Sequence, residues 1–363
     1  MKKIRILHVG LDTNLGGIET YILKISTYID KSQFEFTFLA YDNIRPCFYD
    51  ELCDMGFKFY FVRSRRRSLI GNRNDLKNLF KKEHFDILHY HLNSLTYITP
   101  ITLALQSGIK VIAHSRNAGA FNGSSSRILC FINKIIFPYS KVTLVTVSDK
   151  AGEWMFGKKK KILVLNNGLD TEQYRFLDKE RAIIRKELKI EDKEVLIHVG
   201  AFRKQKNHRL LISIFEAYHK KNNNSVLLLV GEGELMDQIR REVDEKNLSK
   251  DVLFLGKRRD LSSLLSSADK FVFPSLYEGF PNALIEAEAS GLLCVVSSSI
   301  TKQACLDNAI CVDLDAPIST WVDALSHESI TNREGFADLV NKKGFGIEAE
   351  IQSLENLYIE LCR

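Results

Sequence analysis

The 363-residue chain contains no apolar run long enough to cross a bilayer, and Met1-Lys2-Lys3 leads directly into a strand-like Ile4 to Val9. Neither a membrane-spanning anchor nor a cleaved secretory leader is therefore expected. No Cys-x-x-Cys pair occurs, and the seven cysteines, at 47, 53, 130, 294, 305, 311 and 362, are scattered and odd in number. That pattern speaks against zinc and against a disulfide framework, and it suits a reducing cytosol. Internal repeats and low-complexity tracts are missing, as are the G-x-G-x-x-G dinucleotide fingerprint and the Walker phosphate loop.

What is present reads as globular: 45% hydrophobic and 26% charged residues, in a length that suits two domains of ordinary size. Short β-branched and aromatic runs alternate with helix-like stretches throughout. Strand candidates begin at Ile4, Phe34, Phe57, Phe85, Lys110, Leu144 and Ile162, then at Val195, Ser225, Val252, Lys270, Cys294 and Ile310. Each run is almost continuously apolar, as strands covered on both faces are, which predicts two parallel α/β domains. The charged segment between Asn167-Gly168 and Val195 breaks the pattern and is read as the linker. Apolar residues at 347, 351, 354, 358 and 361 predict a final helix.

The net charge of +6 is unevenly spread. Residues 1–170 carry 25 Lys and Arg against 14 Asp and Glu, whereas residues 171–363 carry 26 against 31. Two dense basic runs, Arg63 with Arg65-Arg66-Arg67 and Lys158-Lys159-Lys160-Lys161, lie in the first half. Such runs are usually solvated loops, but gathered on one domain they also suit an anionic membrane surface or an anionic acceptor. No nucleic-acid-binding motif accompanies them. The stretch Arg127 to Lys141, apolar around Lys134, reads equally as a membrane-docking face or as an ordinary buried helix.

The most informative stretch is Phe273-Pro274-Ser275-Leu276-Tyr277-Glu278-Gly279-Phe280-Pro281-Asn282-Ala283-Leu284-Ile285-Glu286. A buried strand ends before Ser275, and Pro281 suits the first turn of a helix. Glu278 then lies in the strand-to-helix loop and Glu286 one to two turns into the helix. Gly279 lets backbone amides approach a ligand at the helix start. Two carboxylates so placed can hold a polyhydroxylated ligand at two points. The plain alternative has Glu278 capping a helix and Glu286 solvated.

This stretch resembles the Glu-x7-Glu signature of retaining, nucleotide-sugar-dependent glycosyltransferases of family 4 and the GT-B fold. Ser275, Glu278-Gly279-Phe280-Pro281, Glu286-Ala287 and Ala289-Ser290-Gly291 carry the match, and Leu293 departs from a proline usual there. The resemblance implies two Rossmann-like α/β domains facing across a cleft. Residues 1–170 would bind the acceptor and residues 171–346 the donor, with the helix 347–363 packing back onto the first domain. It implies that Glu286 meets the ribose hydroxyls, while Glu278, with the amides of residues 279 to 282, touches the donor's sugar or phosphates; Gly279, Phe280, Pro281, Asn282 and Ala283 are the binding residues of that loop.

Further matches extend over most of the chain. Gly16-Gly17-Ile18-Glu19, after the first strand, matches the family's loop facing the donor phosphates and the acceptor, although a glycine pair alone is often only a tight turn. Gly200-Ala201-Phe202-Arg203-Lys204-Gln205-Lys206-Asn207 resembles Gly-Arg-x-x-x-x-Lys-Asn, with Ala201 where an arginine is usual. Lys206 matches the phosphate-binding lysine, and Arg203 is assigned the missing guanidinium; basic side chains past a strand end can neutralise a diphosphate. Gly231 and the Gly256-Lys257 turn would lie beside the nucleotide. His114 falls where the family keeps a histidine at the reaction centre, with Arg116 replacing a second histidine, and His89 and His91 stay unassigned. Asp313-Leu314-Asp315 reads as a strand end, and no metal or permanent cofactor is expected.

The implied activity is transfer of a sugar from a nucleotide sugar, a UDP-sugar, to a hydroxyl of a glycan or lipid-linked oligosaccharide in capsule or exopolysaccharide assembly. His114, Glu278, Lys206 and Arg203 are the expected catalytic residues. The protein would be cytoplasmic, or peripheral at the inner face of the membrane. Ala201, Leu293 and Gln303 keep open a catalytically silent scaffold, and the fold also serves nucleotide-sugar epimerases and phosphorylases.

Overall fold

The computed structural model describes residues 2–14, 16–116, 124–158 and 160–363; Leu15 of the glycine loop and Lys159 of the second basic run fall outside them. Two compact units emerge, one formed by residues 1–167 with 348–363 and the other by 168–347.

The first unit is built on a seven-stranded sheet. Its strands are β1 (Ile4–Val9), β2 (Phe34–Tyr41), β3 (Lys58–Val62), β4 (Ile87–Leu92), β5 (Lys110–Ser115), β6 (Thr143–Thr146) and β7 (Leu163–Val164). Their spatial order is β3-β2-β1-β4-β5-β6-β7, with every pairing parallel. The central strand β4 is buried at all six positions, which is why its sequence lacks in–out alternation. The helix Ile347–Cys362 presents Leu354 and Tyr358, both fully buried, and the Tyr358 ring packs on Phe34 and Phe36.

The second unit repeats the plan with β8 (Glu194–Val199), β9 (Ser225–Val230), β10 (Val252–Gly256), β11 (Lys270–Phe273), β12 (Leu293–Ser297) and β13 (Ala309–Val312), ordered β10-β9-β8-β11-β12-β13 and again all parallel. The charged segment after Gly168 is more than a connection. It forms the helix Asp178–Leu188, whose Arg181 and Arg185 each reach Asp269 at 2.6 Å, fastening it beside the entry to β11. Its polar character reflects this ion-paired face rather than chain freedom.

In both units the strand order reverses beside the first strand, between β1 and β4 and between β8 and β11. In open α/β sheets the usual ligand site lies outside the carboxyl ends of the strands at such a reversal.

Candidate functional site

At the strand-order reversal of the second unit the strand ends are stitched to one another. Beyond β8, Gly200 donates its amide to Val230 (2.9 Å), Gly231 to Gly256 (2.8 Å) and Phe202 to Glu232 (3.0 Å). Gly231 has φ +137°, and a Cβ there would fall 2.3 Å from the Gly200 carbonyl oxygen, so the close approach requires glycine. The chain then makes a short turn, Lys204–Lys206, and passes through Asn207 in a left-handed conformation (φ 55°) into the helix His208–Lys221.

That turn brings Lys206 against the loop that follows β11. The Gln205 carbonyl accepts from the Leu276 amide (2.8 Å), and the Gln205 side chain donates to the Tyr277 carbonyl (2.9 Å) and to Glu278 (3.2 Å). Lys206 Nζ donates to the other Glu278 oxygen at 2.9 Å and lies 4.4 Å from the centre of the Phe273 ring. Glu278 is buried and held through both oxygens, a charge-assisted pair in a largely dry setting. Arg203 is exposed and its guanidinium has no partner among the described residues. Lys257 is also exposed, 3.5 Å from Glu232.

The helix Asn282–Ala289 begins directly after Pro281, and Phe280 packs on Phe345 with ring centres 5.8 Å apart. Glu286, in its second turn, faces Tyr174: burial first, and then the charge of Glu286, push that phenol far above its ordinary range. The structure thus joins Lys206 and Glu278 directly, keeps Arg203 and Lys257 at the surface, and places Glu286 beside Tyr174. The sequence reading did not assign Gln205, which ties the two loops together. It also passed over His198 and His208, whose rings lie 4.8 Å apart. His198 donates Nδ1–H to the Val272 carbonyl (2.8 Å), and burial drops His208 to about 4, so both stay neutral. A histidine inside an otherwise apolar strand was the available signal.

In the first unit, Glu19 folds back to accept the Asp12 amide (3.0 Å), and Thr20 donates its amide to the Gly16 carbonyl (3.1 Å), closing the loop into the helix Gly17–Tyr28. A Cβ on Gly17 would meet nothing within 4 Å. A cavity of about 480 Å³ opens at the carboxyl ends of β1, β2 and β4, with Asp12, Tyr41, Arg65, Arg66, Asn93 and Tyr97 in its walls.

Four buried histidines lie side by side in adjacent strands, with His8 paired to His89 and His91 to His114 in register. His8 Nδ1 and His91 Nε2 are 3.1 Å apart, and His89 Nε2 and His114 Nδ1 are 3.0 Å apart. Arg116 Nη1 reaches His114 Nε2 at 3.2 Å, and His89 Nδ1 reaches the Tyr358 hydroxyl at 2.7 Å. An arginine can only donate, so His114 carries its proton on Nδ1 and passes it toward His89, which in turn donates to Tyr358. Burial pushes all four imidazoles well below their usual range, His8 to about 3. Expected at a reaction centre, His114 is placed with 0% exposure and both ring nitrogens engaged; Arg116 is the group in front of it.

Comparisons with known proteins agree with this architecture. Residues 15–173 match the family described as Glycosyltransferase Family 4, and residues 179–304 match Glycosyl transferases group 1. A provisionally named glycosyltransferase of Bacillus subtilis (strain 168), EpsF, is 31% identical over 98% of this chain and 96% of its own length. The Escherichia coli UDP-Gal:alpha-D-GlcNAc-diphosphoundecaprenol alpha-1,3-galactosyltransferase is 28% identical over 99% and 97%. Among solved structures, Anabaena Alr3699/HepE in complex with UDP-glucose superimposes with a TM-score of 0.80 at 14% identity, over 98% of this chain and 100% of that one, a likeness of fold.

Proposed function

The chain belongs to the family 4 glycosyltransferases of the GT-B fold, and from that premise we propose that it moves a sugar from a UDP-sugar to a hydroxyl of a glycan or lipid-linked oligosaccharide, with retention of anomeric configuration. The observation that carries the reading is the Lys206–Glu278 pair at the strand-order reversal of the second unit. A leaving diphosphate needs positive charge where the glycosidic bond breaks. Lys206, oriented by Glu278, and the unpartnered Arg203 supply it without reorganisation at the moment of transfer. Glu278 faces the donor's sugar hydroxyls, the amides of Gly279, Phe280 and Ala283 face its phosphates, and Glu286 holds the ribose. The departing phosphate oxygen takes the acceptor hydroxyl's proton on the same face of the sugar, which is what retention requires. No resident metal has a part in this scheme.

The acceptor side is the first unit. The diphosphate-linked acceptor named for the Escherichia coli relative supports a lipid-linked glycan. So does the helix Ser124–Ile136. Only Cys130 and Asn133 of its described residues are buried, whereas Ile128, Leu129, Phe131, Ile132, Ile135 and Ile136 are exposed, Phe131 and Ile135 by 67% and 69%. Beyond its end, Lys160 Nζ sits 4.1 Å from the centre of the Tyr139 ring. An exposed apolar stripe on a unit rich in Lys and Arg fits peripheral docking on an anionic bilayer.

A thermal-shift panel of UDP, GDP, ADP, CMP and their sugar conjugates tests the donor. Stabilisation by UDP and a UDP-sugar alone is expected; a response to another base alone, or to none, overturns the assignment.

A further inference from the structure

We propose that the cavity at the carboxyl ends of β1, β2 and β4 is a subsite for an uncharged sugar ring of the acceptor, held through the hydroxyls of Tyr41 and Tyr90. This rests on reading the first unit as the acceptor side, and it adds the place and the chemical class of the ring that is held.

A buried phenol normally finds a partner for its hydroxyl, because leaving that group unpaired carries a cost that a phenylalanine avoids. Tyr90 is 8% exposed in the otherwise apolar strand β4, and Tyr41 ends β2 half-buried; both rings pack on one apolar cluster. Neither hydroxyl has a hydrogen-bond partner among the described residues. Both residues line the cavity, and neither oxygen is sealed from solvent. Tyr97 in the same wall differs, since it donates to the Asn72 side chain. Burial pushes Tyr41 and Tyr90 far above the ordinary phenol range, so each stays protonated and can donate as well as accept.

The rest of the wall suits a neutral polyol. Arg65 Nη1 donates to the Thr96 carbonyl at 2.7 Å, and its guanidinium carbon lies 4.9 Å from the centre of the Tyr97 ring, so it is fixed in place. Asp12 accepts the Thr13 amide (2.6 Å) and hydroxyl (3.2 Å) through Oδ1, and Oδ2 has no partner among the described residues. Asn93 is exposed, with its amide likewise unengaged. Asp12 and Asp42 stand against Arg65 and Arg66, and burial keeps His91 neutral, so the wall has no net charge with which to select an anion. Donors, acceptors and aromatic rings in one wall match sugar hydroxyls, which both donate and accept. The volume of about 480 Å³ falls within the roughly 300–1,000 Å³ of small-molecule sites.

The test uses the full chain and saturation-transfer NMR with the methyl glycosides of glucose, galactose, N-acetylglucosamine and N-acetylgalactosamine. Methyl glucuronide and glucose 1-phosphate serve as anionic counterparts. Transfer to at least one neutral glycoside is expected, with Kd raised about ten-fold or more in the double variant Tyr41→Phe/Tyr90→Phe, the size for two lost hydrogen bonds between neutral groups. That variant should melt at or above the wild-type temperature, because no protein partner is lost; phenols with a merely structural role would lower it. Asn93→Ala, at an exposed position, should weaken binding with the melting temperature unchanged. Lys206→Ala should bind the glycosides as wild type does, which separates the cavity from the donor site. No transfer to any neutral glycoside, transfer to the anionic ones alone, unchanged affinity or a lower melting temperature in the double variant, or loss of the signal in Lys206→Ala would each overturn the assignment. If UDP gives no thermal shift, the donor reading fails, and the glycoside titration still decides the cavity.

Discussion

Lys206 Nζ lies 2.9 Å from a carboxylate oxygen of Glu278, a residue 72 positions further along the chain. Two local facts produce that contact. β8 and β11 are neighbours at the point where strand order reverses, and Gln205 bonds both the backbone and the carboxylate of the second loop. The lysine is thereby aimed before any ligand arrives, which is the form in which a cation contributes most to stabilising developing charge.

Glu278→Gln keeps the shape of the loop and removes the charge that orients Lys206. Hydrogen bonds to charged groups are worth about 1.5–3 kcal/mol. Turnover should therefore fall roughly ten- to a hundred-fold, with a smaller change in affinity for the nucleotide alone. Steady-state kinetics beside a UDP titration check this; unchanged turnover would show that the pair does not act in transfer.

Glu288 makes a separate prediction. It is fully buried in the helix Asn282–Ala289, accepts the Leu306 amide at 2.7 Å, and is pushed up to about 8 by burial. Its folded-state value lies above its unfolded one, so between about 4.5 and 8 the unfolded chain binds fewer protons and stability falls as pH rises. Glu288→Gln retains an acceptor for Leu306 and cannot ionise. Its melting temperature should match wild type near pH 5 and exceed it increasingly toward pH 8. A difference that does not change with pH would contradict the account.

The apolar helix predicts a change in location rather than in chemistry. Replacing both Phe131 and Ile135 by Asp should abolish sedimentation with anionic vesicles at low salt. It should shift stability little, because exposed side chains contribute within about 0.5 kcal/mol each. Activity on a soluble acceptor should persist. Vesicle binding that survives the double substitution would assign the helix another role.

Legibility from sequence followed the range of the interactions. The thirteen strands found among the described residues start within two residues of where apolar runs begin, since burial on both faces writes itself locally. The Glu278 loop was legible for the same reason: a strand, a glycine and a proline fix its course over a few residues. The segment around Ser124–Ile136 was ambiguous, because the same apolar spacing describes a buried helix and one left bare. What could not be read were the contacts made across the chain. His89 meets Tyr358 from 269 residues away, and Lys24 finds Glu350 on the final helix. Arg116 looked like a substitution beside a reactive histidine. Only the packing shows that His114 is enclosed and that Arg116 stands in front of it.

The central claim, that the second unit holds a nucleotide-sugar donor and charges its leaving group through Lys206, is tested most directly by separating turnover from affinity in two variants. Lys206→Ala should lower kcat about 10²–10³-fold, the range for removing one preorganised charge-stabilising group, while leaving nucleotide affinity within a few-fold. Glu286→Ala should do the reverse, raising the Kd for UDP with a lesser effect on kcat. Both variants turning over and binding as wild type would contradict the account.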